Sequence, residues 1–367
     1  MTRRLKKIII ATGGTGGHVF PAYSLAKHFI DKKIDVQIIS DKRGLRYLKG
    51  YYGLKIVEIN TSTIFKKNIF QLFLSILVIF YSVIRSLTFL LINRPNLVFG
   101  MGGYSSFPVC AAARILRIPF IIYENNLYIG KANKYLLPFA DKIFVSNKEI
   151  NGISKKFSKK VCEIGNIIRK EILNFQVKSD FVQKKGELKI LILGGSQAAK
   201  VFAEKLAEIF KKCHKAKIPL KIYQQCLPNQ NKFLTSFYQN LNIEFEIFNF
   251  TDDILNYFSK INLAITRSGS SILAELVNAK VPFIAVPLPS SADDHQLKNA
   301  TYYEKKGYSF LIEEKDLSLK LFQLIEKISN DTSLLSLMNS KQREYSDKSV
   351  YKNIDKQINM MINNAEH

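Results

Sequence analysis

The chain has 367 residues, 47% of them apolar, with 54 Lys+Arg against 30 Asp+Glu and a formal net charge of +24. This excludes a disordered chain, and the length suits two domains better than one core. The charge favours anionic partners, a phosphorylated substrate or an anionic membrane surface. Scattered lysines without an arginine-rich tail or an aromatic-basic strip argue against nucleic acid.

The first half alternates β-branched runs with helical stretches. Lys7–Ala11 predicts a strand and Pro21–Lys32 a helix; Val36–Ser40 and Lys55–Ile59 predict two more strands. Residues 69–92, IFQLFLSILVIFYSVIRSLTFLLI, are long enough to span a bilayer, which takes about 20 apolar residues. Asn68, Gln71, Ser75, Ser82, Arg85, Ser86 and Asn93 fall on one face at ~100° per residue, giving a helix with one polar stripe and a very wide apolar arc. The helix links two predicted parallel strands, so it is expected as a crossover packed on the sheet. The outer part of its apolar arc is expected to dip into the membrane interface beside Lys66, Lys67, Arg85 and Arg94. Leu97–Gly100, Phe120–Tyr123 and Lys142–Val145 continue the strand series.

A polar, aperiodic stretch, Asn174–Gly186, precedes a restart of the pattern. LKILILGGSQAAKVFAEKLAEIF (188–210) reads as strand, glycine turn and helix. Strands follow at Leu220–Gln224, Glu244–Phe248, Leu263–Thr266 and Phe283–Val286. The expected fold class is α/β: two doubly wound parallel-sheet domains facing a cleft, over 1–164 and 165–345, with a polar helix over 346–367 that packs on either domain. Cys110, Cys162, Cys213 and Cys226 form no C-x-x-C pair and have no zinc spacing, so they are expected as reduced thiols of a cytosolic protein. The apolar run at the N-terminus is too short for a signal peptide.

Four strand-to-helix segments carry candidate chemistry. In IIIATGGTGGHVFPA (8–22), four glycines leave room for a phosphate or sugar to touch backbone N–H groups at a helix start. A P-loop is excluded, because no Gly-Lys-Ser/Thr follows, and Val19 stands where the last glycine of G-x-G-x-x-G belongs. His18, at a helix N-terminus, is biased toward the neutral imidazole, which accepts a proton; a structural role is the equal alternative. Gly194–Gln197 repeats the device. TRSGSS (266–271) is a third such turn, carrying Arg267 toward a diphosphate. Glu275, one turn further, suits a ribose diol or is an exposed helix charge. VPLPSSADDHQLKNA (286–300) offers Asp294, His295 and Gln296 to sugar hydroxyls, or holds an ordinary acidic N-cap. No metal-binding motif and no cofactor site stands out.

Together these segments resemble the MurG family of GT-B glycosyltransferases. The likeness rests on GGTGGHVFPA (13–22), GMGGYSSFP (100–108), YENN (123–126), GNIIR (165–169), LGGSQ (193–197), FTDDI (250–254), TRSGSS with Glu275, and DDHQLKNA (293–300). The resemblance implies transfer of N-acetylglucosamine from UDP-N-acetylglucosamine to the C4 hydroxyl of lipid I, inverting and without metal or cofactor, at the cytoplasmic face of the cell membrane. It also implies contact with other cell-wall synthesis proteins. On matching positions it implies that Thr15, Gly16, Gly17 and Asn126 line the site near the transferred sugar. Gly102, Gly103 and Tyr104 face the acceptor's diphosphate. Arg169 and Ser196 lie near the donor, Thr251 near uracil, Glu275 on the ribose, and Gln296 with His295 on the sugar. His18 is the implied base, with Glu124 nearby.

The chain departs from the family pattern at three places. Ile167 stands for a proline in GNIIR, Ala198 for a glycine, and YQQCLPN (223–229) for His-Gln-Ser/Thr-Gly. A glycosyltransferase with a diacylglycerol acceptor and a UDP-N-acetylglucosamine epimerase are the alternative readings.

Overall fold

The computed structural model describes residues 5–48, 53–61, 68–175, 186–251 and 253–364, without the side chains of 195–199 and 364. Unbroken apolar strands need cover on both faces, which a parallel sheet with crossover helices provides. Seven strands form the first sheet: β1 (Lys7–Ala11), β2 (Asp35–Ser40), β3 (Lys55–Glu58), β4 (Leu97–Gly100), β5 (Phe120–Glu124), β6 (Lys142–Val145) and β7 (Val161–Glu163). Their order is β3-β2-β1-β4-β5-β6-β7, and Ile8 lies in register with Val36 on one side and Leu97 on the other. Ile8, Ile9, Ile10, Leu97, Val98 and Phe99 are fully buried.

The second sheet repeats the plan with β8 (Leu188–Leu193), β9 (Leu220–Gln225), β10 (Glu244–Phe248), β11 (Leu263–Arg267), β12 (Phe283–Val286) and β13 (Phe310–Leu311), in the order β10-β9-β8-β11-β12-β13. The edge strands β7 and β13, of three and two residues, are too short to leave a pattern in sequence. Strand order reverses between β1 and β4, and again between β8 and β11. Open parallel sheets bind ligands beyond the strand carboxyl ends at such points. The chain divides into two compact units, 1–169 with 347–367, and 170–346. Of the polar stretch 174–186, residues 176–185 lie outside the described residues. The four cysteines are free, and burial pushes the Cys213 thiol up to about 12.

Helix α1 (Gly16–Asp31) starts five residues earlier than expected and carries Pro21 inside it. Thr15, in extended conformation, supplies the first carbonyl, which accepts from His18 N at 3.1 Å and Val19 N at 3.3 Å. The proline that suggested a helix start therefore lies more than a turn in. α2 (Lys42–Leu48) follows β2.

α3 (Ile69–Asn93) is the crossover between β3 and β4, but the face it buries is the opposite of the one expected. Ser75, Ser82, Ser86 and Leu90 are its buried residues, and they lie on the side that packs against α4 (Ser106–Ile115). Ile69, Phe70, Phe73, Leu74, Ile76, Leu77, Phe80, Tyr81 and Ile84 are exposed. Serine is small enough for close helix approach, and its hydroxyl is satisfied by its own helix: Ser82 Oγ donates to Val78 O and Ser86 Oγ to Ser82 O, both at 2.7 Å. Ser82 also donates to Asn60 O. Gln71 and Arg85, counted with the serines on the polar stripe, are exposed. Lys66 and Lys67 lie outside the described residues.

The C-terminal helix (Val350–Asn364) belongs to the first unit. His28 Nε2 of α1 meets Asp355 Oδ1 at 3.0 Å, Lys32 pairs with the same carboxylate, and the Tyr351 ring stacks on His28 at 4.6 Å. Burial raises the Asp355 carboxyl, but hydrogen bonds and charge from His28 and Lys32 outweigh it and hold it below the usual range. A depressed carboxylate stabilises above its unfolded pKa of about 3.9, and that stability is lost as pH falls through the lower folded value. Asp355→Asn is therefore expected to lower stability at pH 7 by about 0.5–1 kcal/mol, since the pair is partly solvent-screened. The difference from the parent should vanish on acidification below the usual carboxylate range. Thermal unfolding at both pH values checks this; a difference that grows in acid contradicts it.

Candidate active site

In the first unit, the turns after β1 and β4 touch. A Cβ at Gly103 would come within 2.8 Å of the Gly13 carbonyl oxygen, and one at Gly102 within 2.8 Å of His18 Cε1 and Nδ1. Gly102 and Gly103 also have φ of +86° and +76°, a region that disfavours side chains, so both glycines are required twice over. The His18 ring thus lies flush on the β4 turn, at the third residue of α1. Gly16 and Gly17 form the first two positions of that helix, Thr15 caps it in the open, and Tyr104 is half-buried beyond Gly103. Asp41 Oδ1 braces the loop by accepting from Gly14 N at 2.8 Å and Gly44 N at 2.9 Å.

Glu124, at the end of β5, is 1% exposed. Its Oε1 accepts from Asn126 N at 3.1 Å and Asn126 Nδ2 at 3.0 Å. Its Oε2 accepts from Gly130 N at 2.8 Å and Asn133 Nδ2 at 3.0 Å. Four donors fix this carboxylate, and through it the position of Asn126. Asn125, which sequence reasoning passed over, donates Nδ2 to Gly17 O at 2.8 Å. It joins Asn126 to the glycine loop.

In the second unit, the switch point carries β8's turn into the helix Gly195–Lys215 and β11's turn into the helix Ser270–Ala279. The Ser196 side chain and the Ala198 departure lie outside the described side chains. Gln296 bridges two loops: its Oε1 accepts from Ser268 N at 3.2 Å and Leu288 N at 3.0 Å. His295 Nδ1 lies 2.7 Å from Ala292 O, which can only accept, so Nδ1 carries a proton. Just before it, Asp293 and Asp294 both take left-handed backbone, with φ of 52° and 54°, a strain that tends to persist at ligand sites. Asp294 is the cap residue of the following helix, as the simpler reading expects, but it makes no side-chain cap bond. Glu275 is 8% exposed, which removes the reading of a solvated helix charge. Thr251 closes the loop after β10, with Oγ1 accepting from Asp253 N at 3.1 Å.

Arg267 is engaged inside the unit rather than open to an anion. Its Nη1 donates to Pro287 O at 3.1 Å and Val286 O at 3.4 Å, its Nη2 pairs with Glu314, and its guanidinium covers the Phe202 ring at 4.8 Å. β11 ends on a residue that ties the neighbouring turns together, an arrangement that a Thr-Arg-Ser-Gly string does not reveal. Removing one partner of a buried ion pair strands the other charge, so Glu314→Ala is expected to cost about 3 kcal/mol. Urea unfolding of the full chain measures it; a loss indistinguishable from zero removes the pair from the stability of this unit.

Residues 8–145 match the glycosyltransferase family 28 N-terminal domain and residues 189–358 its C-terminal domain. A UDP-N-acetylglucosamine–N-acetylmuramyl-(pentapeptide) pyrophosphoryl-undecaprenol N-acetylglucosamine transferase of Pelagibacter ubique is 36% identical over 361 residues, covering 98% of this chain and 99% of its own. The chain belongs to the MurG family. A Rickettsia bellii relative of the same description is 35% identical over 340 residues, covering 90% and 94%. The crystal structure of Acinetobacter baumannii MurG superposes with a TM-score of 0.77 at 25% identity, covering 96% of this chain and 99% of the other. The two parallel sheets are thus the GT-B pair of the MurG family.

The altered MurG-family segment GNIIR is accounted for by its contacts. Ile167 N–H donates to Tyr123 Oη at 3.0 Å, a bond that a proline there cannot make. Burial pushes the Tyr123 hydroxyl up, so it remains protonated. Asp347 accepts from Asn166 N at 2.9 Å and Asn166 Nδ2 at 3.2 Å, and Tyr351 Oη donates to Ile168 O at 2.7 Å. Arg169 follows directly on this braced turn. In the altered YQQCLPN segment, Gln224 is buried in β9 and accepts from the Tyr238 hydroxyl.

Proposed function

We propose that the chain transfers N-acetylglucosamine from UDP-N-acetylglucosamine to the C4 hydroxyl of lipid-linked N-acetylmuramoyl-pentapeptide, lipid I, forming lipid II. The observation that carries the reading is the full-length likeness to transferases of that description. The C4 oxygen attacks the anomeric carbon, the bond to UDP breaks with its electron pair leaving on the diphosphate, and the C4 proton passes to His18. The configuration inverts because attack and departure are on opposite sides. His18 is the base, held on the Gly102–Gly103 turn. That turn and Tyr104 serve the acceptor's diphosphate, with Thr15, Gly16, Gly17 and Asn126 near the transferred sugar. Glu124 acts through Asn126, as a positioning residue.

The second unit takes the donor. Its diphosphate meets the N-terminus of the Gly195–Lys215 helix near Ser196, and Arg169 is assigned to the donor by the family motif alone. Thr251 borders uracil, Glu275 the ribose, and His295 with Gln296 the N-acetylglucosamine. Arg267 shapes the turns around that sugar. The exposed apolar face of α3 lies in the anionic cytoplasmic leaflet, which keeps the first unit beside its lipid-linked acceptor.

UDP release from UDP-N-acetylglucosamine, measured in EDTA with and without a lipid I analogue, tests this. Acceptor-dependent release is the expected result. Release without acceptor indicates an epimerase or hydrolase. No release from folded, UDP-binding protein overturns the acceptor assignment.

A further inference from the structure

Pro21 interrupts α1 at one position: it has no N–H to give the carbonyl four residues back, which is that of Gly17. That carbonyl is on the residue directly before His18, in the turn that carries the ring. Asn125, buried at 6% exposure, places Nδ2 on it at 2.8 Å. The same side chain's Oδ1 accepts from Asn126 Nδ2 at 3.3 Å, and its own carbonyl accepts from Ser146 Oγ at 3.1 Å. A side chain 108 residues distant in sequence thus does what a helix N–H does elsewhere, and it comes from the loop that Glu124 fixes.

We propose that Asn125 is a positioning residue for the transfer reaction. It substitutes for the backbone donor that Pro21 removes and so sets the first turn of α1, with His18, in register with Asn126. The consequence is a coupling between two sequence segments that neither shows alone. Pro21 makes the His18 turn dependent on the β5 loop for the bond that holds it. An ordinary residue at position 21 would let the helix close its own bond and hold the turn without Asn125. The inference rests on the reading of His18 and Asn126 as parts of the active site.

The test is a double-mutant cycle in the full-length protein, with UDP-N-acetylglucosamine and a lipid I analogue. Asn125→Ala is expected to lower kcat by about tenfold or more, since small displacements of a reacting group are costly in rate, with the KM for the donor unchanged. Pro21→Ala alone is expected to stay near the parent rate. In the double variant Asn125→Ala/Pro21→Ala, the new N–H at residue 21 reaches Gly17 O, and kcat is expected to recover most of the loss. A general packing role for Asn125 does not predict recovery. An unchanged kcat in Asn125→Ala, or a loss that Pro21→Ala does not repair, overturns the proposal.

If Asn125→Ala does not fold, Asn125→Asp is read the same way, because it keeps the shape and loses the donor. An inactive parent enzyme with this acceptor would instead count against the transferase reading itself, which separates the two failures.

Discussion

Replacing His18 by alanine lowers acceptor-dependent transfer by about 10²–10⁴-fold, the usual contribution of a positioned general base, and leaves UDP binding unchanged. The binding control is informative because His18 and Thr251 and Glu275, the residues proposed for uridine, belong to different units. The ring's seat is specific: it rests on Gly102, where a single methyl group would collide at 2.8 Å. Gly102→Ala is therefore expected to displace the ring and to reproduce much of the His18→Ala loss, although it removes no titratable group. Steady-state kinetics with donor and acceptor varied separately checks both variants. A His18→Ala enzyme at the parent rate would remove the base assignment.

Replacing Phe70, Phe73 and Phe80 by serine is expected to abolish flotation with anionic vesicles. These rings are 65%, 58% and 65% exposed in the folded chain, so their removal costs the fold little. If each ring is buried in lipid at roughly 1.5–3 kcal/mol, the three together change the partition by about 10³-fold or more. Activity on a water-soluble acceptor analogue is expected to persist, while activity on vesicle-borne acceptor falls. Flotation equal to that of the parent would place the membrane contact elsewhere. Which side of α3 is buried decides the outcome: had the apolar arc packed on the sheet, the same substitutions would have unfolded the unit.

The strands and glycine turns were legible because their signals are local. An apolar run of five residues ending in glycine states both a buried strand and a sharp exit. The buried face of α3 was not legible, because hydropathy counts a serine as polar whether or not its hydroxyl is already satisfied. Ser82 and Ser86 spend theirs on α3's own carbonyls and so behave as small packing residues. The start of α1 was misplaced for a related reason. Pro21 is tolerated inside the helix alongside a donor supplied by Asn125, which no window around residue 21 contains. In the second unit, Glu275 and Gln296 stand out in sequence as polar residues of strand-to-helix segments, but the burial of the one and the loop bridge of the other do not. The inward engagement of Arg267 depends on Glu314, Pro287 and Phe202, three partners scattered over more than a hundred residues.

The return of the chain's last helix to its first unit has a consequence for the order of events during synthesis. The partner of His28 is 327 residues downstream. At roughly 5–20 residues per second, the ribosome supplies it about a quarter of a minute to a minute later. The second unit is continuous from 170 to 346 and emerges whole before that. The part of the enzyme translated first is thus the part completed last. For that interval α1, with His18 at its head, lacks the aromatic and ionic clasp of Tyr351 and Asp355, while α3 already exposes its phenylalanines. A chain stalled before residue 350 accordingly presents the apolar face of α3 while the clasp on α1 is still missing.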